Sequence, residues 1–136
     1  MSSFKIFDIA GSGMSAQSVR LNTVASNLAN ADSVSGDPNS VYRAKHPVFQ
    51  AIMGSGDLST AQVNVAGIAQ SQAAPETRYD PGNPLADAQG NVYAPNVNVV
   101  EEMADMISAS RSYQNNVEVL NTSRDMMLAT LKLGQS

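Results

Sequence analysis

The distribution of proline divides this chain into three parts. All six prolines and six of the nine glycines lie between residues 33 and 96, so both ends of the 136-residue chain lack proline. Because proline breaks the interior of a helix, long helices are expected only in the two ends. We therefore expect an N-terminal helix within residues 1–32, a β-rich insert within residues 33–96 and a C-terminal helix within residues 97–136. The two helical segments are expected to form one structural unit.

Apolar side chains in both terminal segments repeat with helical spacing. In the first segment they recur every seven residues, at Phe7, Met14, Leu21 and Leu28. In the last segment a ladder with steps of three and four residues includes Met103, Met106, Tyr113, Val117, Leu120, Met127 and Leu131. Such spacing is typical of helices that pack along one stripe. The predicted fold class is mainly α with a small β insert, in which the two long terminal helices form an antiparallel coiled-coil-like pair.

The ends of the helices carry local signals of unequal strength. Asn98 followed by Glu101 is a capping pair, which predicts that the C-terminal helix begins there. Gly134 marks the end of that helix. The N-terminal helix is weaker, because Gly11 and Gly13 each cost roughly 1 kcal/mol relative to alanine. We expect the isolated chain to contain less helix than the assembled one.

The middle segment shows strand and turn signals. Residues 41–53 and 62–68 are β-branched and alternating enough for a hairpin, joined by a turn region at residues 54–56. A third extended piece is expected at residues 91–93. The sequence Asp-Pro-Gly-Asn-Pro at residues 80–84 predicts a rigid turn.

Charge and composition exclude several classes of function. Eight lysines and arginines stand against 12 aspartates and glutamates, and no basic cluster is present, so nucleic acid and anionic membrane are poor partners. Cysteine is absent, which excludes disulfides and thiolate chemistry. No apolar run approaches the ~20 residues of a membrane span. Asp8 interrupts the first apolar stretch, so a cleaved signal peptide is not expected.

Three motifs resemble catalytic or ligand sites, but the rest of the sequence supports none of them. Residues 11–16 match the G-x-G-x-x-A pattern of dinucleotide sites, but the second strand which that fold requires is missing. His46 is the single histidine, so a histidine-based triad or multi-histidine metal site cannot form within one chain. Asp80 and Asp87 flank a turn that lacks the regular oxygen ligands of a calcium loop. We expect no enzyme activity, no cofactor and no metal.

The helix surfaces are unusually poor in charge. Charged residues make up 15% of the chain, against roughly 25% in an ordinary domain. Between residues 9 and 31 the only charge is Arg20, whereas a solvated helix normally carries ion pairs. Two classes of function remain: a self-assembling helical structural protein, and a helical adaptor that binds a single partner through its heptad stripe. The shortage of charge around most of both helices favours the first class.

Several segments resemble one known family. Residues 21–32, Leu-Asn-Thr-Val-Ala-Ser-Asn-Leu-Ala-Asn-Ala-Asp, resemble the N-terminal signature of bacterial flagellar rod and hook proteins. Tyr42-Arg43 and the following Pro47-Val-Phe49 resemble the segment that comes next in that family. Residues 79–103, 106–113 and 117–122 are similar to the proximal rod members. The resemblance covers nearly the whole chain, and the short middle segment matches the small proximal proteins.

This resemblance implies a structural subunit of the flagellar basal body. Such a subunit would cross the inner membrane through the flagellar type III export apparatus without a cleaved signal. It would then polymerise helically in the periplasm with copies of itself and with sibling proximal and distal rod proteins, forming the drive shaft that carries motor torque. The paired helices would surround the export channel and the insert would lie outside. Further implied partners are the export apparatus and the adaptor to the MS ring.

We expect the assembly contacts to involve the two apolar stripes and a few polar residues. Asn27 and Asn30 flank Leu28 and are expected to hydrogen-bond adjacent helices, which would fix their register. Asn98, Glu101 and Asp105 complete the predicted set.

The acidic first turn of the C-terminal helix carries a separate prediction. Glu101 and Asp105 are expected to point away from the N-terminal helix of the same chain and to meet a basic residue of a neighbouring subunit. Arg20, Arg43 and Lys45 are the candidates if that neighbour is another copy. The alternative is a solvated turn that only starts the helix.

Overall fold

The computed structural model describes residues 3–54 and 57–134. Helix α1 spans Ser3–Asn30 and helix α2 spans Val99–Leu133. Four strands lie between the helices: β1 Lys45–Gly54, β2 Asp57–Gln70, β3 Glu76–Tyr79 and β4 Asn91–Ala94. Roughly half of the chain is helical and about 23% is strand. The fold is therefore a helix pair with two small antiparallel sheets, and the prediction of a mainly α fold is wrong.

The two helices run antiparallel, but they do not form the predicted coiled-coil-like pair. Arg20 contacts Asp105, and further along α1 Asn27 contacts Glu102, so residue numbers fall along α2 as they rise along α1. Earlier in α1, a Cβ added at Gly13 would lie 2.9 Å from the side-chain nitrogen of Asn116. The Asn116 side chain therefore packs directly against the backbone of Gly13.

Small and polar residues explain why the coiled-coil prediction fails. A coiled coil interlocks large apolar side chains along its seam. Here the buried positions of the two helices include Ala10, Ala16, Asn27, Glu102, Ala109 and Ser123. The buried residues of α2, Glu102, Ala109 and Ser123, are separated by seven and fourteen residues and lie one position away from part of the predicted ladder. The large apolar side chains of the ladder therefore lie on the flanks of the helix contact or away from it.

The predicted ends of α2 are confirmed. The Asn98 side chain accepts hydrogen bonds from the backbone N–H groups of Val100, at 3.1 Å, and Glu101, at 3.3 Å. At the other end, the Gly134 N–H donates to the carbonyl oxygen of Thr130 at 3.1 Å. None of the helices among residues 3–54 and 57–134 is long and apolar enough to cross a membrane.

The predicted hairpin is confirmed, although its first strand begins later than expected and its second strand is longer. Strands β1 and β2 pair antiparallel from Lys45 with Gln70 to Gly54 with Asp57, with an irregularity between Val48 and Phe49. The predicted turn region includes residues 55 and 56, which lie outside the described residues. Most side chains of this hairpin that are described are exposed.

The third extended piece is also confirmed, as β4, and it pairs with β3, which the sequence analysis did not predict. The rigid turn between them forms: the Asn83 N–H donates to the Asp80 carbonyl oxygen at 3.1 Å.

Asp87 organises the second half of the connection between β3 and β4. Its carboxylate accepts from the backbone N–H of Asn91 at 2.8 Å and from the Tyr93 hydroxyl at 3.2 Å. These bonds, the Asn91 N–H first among them, lower the pKa of Asp87.

Candidate assembly surface and polar junction

A buried asparagine joins three elements at one end of the helix pair. The Asn27 side chain has no solvent exposure. Its amide nitrogen donates to the Lys45 carbonyl oxygen and to Oε1 of Glu102, both at 2.9 Å. Its amide oxygen accepts from the Lys45 N–H at 2.9 Å and from the Tyr42 hydroxyl at 2.8 Å. We call Asn27, Tyr42, Lys45 and Glu102 the polar junction, because they tie α1 to both α2 and the start of β1.

The two predicted asparagines have different surroundings. Asn27 does hydrogen-bond a residue of an adjacent helix, and that helix is α2 of the same chain. The half-buried Asn30 donates to the Ser26 carbonyl oxygen, at 2.8 Å, one turn back in its own helix. A role for either residue in contacts between subunits stays a prediction.

The expected orientation of Asp105 is wrong. Its carboxylate lies 2.6 Å from the guanidinium of Arg20, so it faces α1 of the same chain. The sequence analysis placed Asp105 on the far side because it centred the helix contact on the apolar ladder. The contact is centred instead on the line through Glu102 and Ala109, which brings Asp105 to the edge of the α1 contact. Arg20 is thus a partner of Asp105 within the chain.

Glu102 is the functional candidate that sequence reasoning missed. Only 5% of this residue is exposed, and Oε2 of its carboxylate has no hydrogen-bond partner in the described part of the chain. Glu102 also lines an open cleft of about 210 Å³ together with Glu101, Asp105 and His46. The spacing of Glu102, Ala109 and Ser123 by seven and fourteen residues was the signal available in the sequence, but charged residues are seldom placed in a buried line.

The remaining predicted assembly residues do not gather into a single buried core. Of these remaining residues, the half-buried ones are Phe7, Met14, Leu21, Leu28, Met106, Tyr113, Val117, Leu120 and Met127. Asn98, Glu101, Met103 and Leu131 are exposed. The apolar stripes are therefore only partly covered by contacts within the chain.

Helix α2 exposes large apolar side chains over both halves. In its first three turns Val100 is 77% exposed, Met103 53% and Ile107 55%. In its second half Val119 and Met126 line a shallow groove of about 520 Å³ with Ile6 of α1. We call these two regions the first and second apolar surfaces of α2. Large exposed apolar areas usually mark contacts with other proteins.

The total solvent-accessible surface of the chain also indicates association with other proteins. The chain exposes 8886 Å², whereas a compact monomer of 14.3 kDa is expected to expose about 6,800 Å². The difference, on the order of 2,000 Å², is comparable to the area buried in a stable protein interface. Among residues 3–54 and 57–134, no group of three or more metal-binding side chains comes together. The arrangement of the described residues is suited to association.

Comparisons with known proteins identify the family. Residues 7–36 match the family model "Flagella basal body rod protein", and residues 88–133 match "Flagellar basal body rod FlgEFG protein C-terminal". The chain is 59% identical over 135 residues to the flagellar basal-body rod protein FlgC of Escherichia coli O6:H1, covering 99% of this chain and all of that protein. It is 58% identical to FlgC of Salmonella typhimurium with the same coverage, and 42% identical to FlgC of Aquifex aeolicus over 97% of each chain. The chain belongs to the FlgC family of flagellar basal-body rod proteins and is a structural component of the basal-body rod.

Proposed function

We propose that this rod component polymerises helically with copies of itself and with sibling rod proteins, and that the polymer transmits motor torque. The observation that carries the proposal is the apolar exposure of α2, together with a total surface about 2,000 Å² larger than a compact chain requires. Burial of apolar surface is the main driving force for protein association. Contacts with neighbouring subunits would remove these side chains from water.

We further propose a division of labour within the chain. The helical segments, residues 1–32 and 97–136, form one axial unit that surrounds the export channel, and residues 33–96 form an outer insert. The polar junction supports this division, because Asn27 fixes the start of β1 against both helices through four hydrogen bonds. Such a hydrogen-bonded junction would transmit torque between the insert and the axial helices.

The proposal includes contacts with the proximal and distal rod proteins, the export apparatus and the MS-ring adaptor. It also includes delivery through the flagellar export apparatus to the periplasm without a cleaved signal. The role is mechanical and not catalytic. An adaptor with a single partner would need one exposed apolar face. The first apolar surface of α2 and the groove formed with Ile6 lie in different halves of the helix, which favours several neighbours over one.

Paired polar substitutions in the groove test this proposal. Val119→Gln with Met126→Gln leaves the buried residues of the helix contact unchanged, so the isolated chain should keep its helix content and melting temperature. In a strain that lacks its own copy of the protein, the variant should fail to complete rods and should not swim. The control is Asn121→Gln, a polar exchange at an exposed position of the same helix, which should swim normally. Normal rods from the paired variant would contradict the proposal.

A further inference from the structure

A negatively charged cleft lies where the first turns of α2 meet the start of β1. It has a volume of about 210 Å³ and is lined by residues that include His46, Ser71, Asn98, Glu101, Glu102 and Asp105. Three of these are carboxylates. Arg20 neutralises Asp105 at 2.6 Å, whereas no ion pair within the described part of the chain involves Glu101 or Glu102.

The carboxylate of Glu102 is the unusual group in this cleft. Its Oε1 accepts a hydrogen bond from the side-chain amide of Asn27, but Oε2 is buried without a hydrogen-bond partner in the described part of the chain. Removing a charged oxygen from water is costly unless a hydrogen bond or an opposite charge compensates it. The positive end of the α2 helix dipole offers partial compensation. Among the described residues no group supplies the missing donor, so we look for it outside them.

We propose that the cleft receives a basic side chain, arginine or lysine, from an adjacent rod subunit, and that the Glu102 side chain turns toward the cleft so that its buried Oε2 bonds this cation. Exposed Glu101 provides a second carboxylate for the same cation. Arginine suits the pair best, because its planar group of five N–H donors can bond two carboxylates at once. The described residues gather no cluster of three metal ligands, which favours a side chain over a metal ion. The inference rests on the proposed polymerisation of the chain.

A map of the purified basal body that resolves side chains tests the inference directly. We expect a nitrogen of an arginine or lysine from a neighbouring subunit within hydrogen-bond distance of Glu102 Oε2. Water alone in the cleft, an apolar side chain, or a cation donated by the same chain would overturn the inference while the proposed polymerisation stands. Absence of the chain from the rod would overturn both.

A charge-neutral variant provides a second measurement. Glu102→Gln retains an oxygen that can accept from Asn27, so the isolated chain should melt at or above the temperature of the wild-type chain. Incorporation into rods, measured by immunoblot of purified basal bodies, should fall roughly tenfold or more, as expected for loss of a charged hydrogen bond.

The matched control is Glu76→Gln, which removes the same charge from an exposed residue of β3 whose partner is the exposed Arg78. This variant should incorporate normally. Equal incorporation of the two variants would contradict the inference. If Glu102→Gln instead lowers the melting temperature, the map decides, because the position of the neighbouring cation does not depend on the variant.

Discussion

Replacing Asn27 by alanine should cost more stability than any other exchange of a single polar side chain on α1. The side chain makes four hydrogen bonds, and the substitution removes all of them. It leaves the N–H and C=O of Lys45 and Oε1 of Glu102 without their partner. Each buried polar group left in this way costs about 1–3 kcal/mol. The higher helix propensity of alanine offsets about 0.5 kcal/mol, and water reaching the half-buried Lys45 offsets more. We expect a net loss of about 3 kcal/mol.

Urea unfolding followed by circular dichroism measures this loss. With a slope of about 1.5–2 kcal/mol per molar urea, the midpoint should fall by about 1.5–2 M. The control is Asn30→Ala, the same exchange three residues further along α1, where a single bond within the helix is lost. That variant should change stability by less than about 1 kcal/mol. If the two variants unfold at the same urea concentration, the polar junction does not hold the helices together and the reasoning is refuted.

Three further predictions follow from individual contacts. A double-mutant cycle on Arg20→Met and Asp105→Asn should give a coupling of about 1 kcal/mol or less that weakens with added salt, because both side chains are partly exposed; an unchanged coupling at 1 M salt would argue against an ionic contact. Gly36→Ala should destabilise the chain, because the added Cβ would collide with a backbone carbonyl oxygen. Gly11→Ala has open space around the added Cβ and should stabilise α1 by about 0.5–1 kcal/mol. A lower melting temperature for Gly11→Ala than for Gly36→Ala would contradict this prediction. Folding lowers the pKa of Asp87, so the stability that its carboxylate contributes is present above its unfolded pKa near 4 and is lost as pH falls through the lower folded value. Asp87→Asn should remove that part of the acid dependence. Unfolding followed by circular dichroism at pH 2–6 would show the difference.

The elements that sequence predicted well are those with strong local signals. The absence of proline located both helices, and Asn98 located the start of α2 because a capping side chain acts on the N–H groups next to it. The β1–β2 hairpin followed from alternation and β-branched residues. Strand β3 was missed because Glu-Thr-Arg-Tyr is exposed throughout and has no apolar alternation to reveal it.

The contact between the helices could not be predicted for a different reason. Apolar periodicity shows that a face is covered, but it does not show whether the cover comes from the same chain or from a neighbour. We expected the ladder that includes Met103 and Leu131 both to pair the helices and to take part in assembly, and the structure leaves both residues exposed within the chain. The helix contact is made instead by alanine, asparagine and glutamate, residue types that pattern reasoning assigns to the surface or treats as neutral. For the same reason, Glu102 was overlooked.

The central claim is that the apolar surfaces of α2 are covered by neighbouring subunits in the rod, and thiol labelling of Met103→Cys tests it most directly. The chain contains no cysteine, so the introduced thiol is its only one. A maleimide should label it readily in the isolated chain, where the side chain it replaces is 53% exposed. In purified basal bodies, labelling of this chain should fall at least tenfold, and it should return when the same sample is denatured. Labelling in intact basal bodies at the rate of the isolated chain would contradict the account.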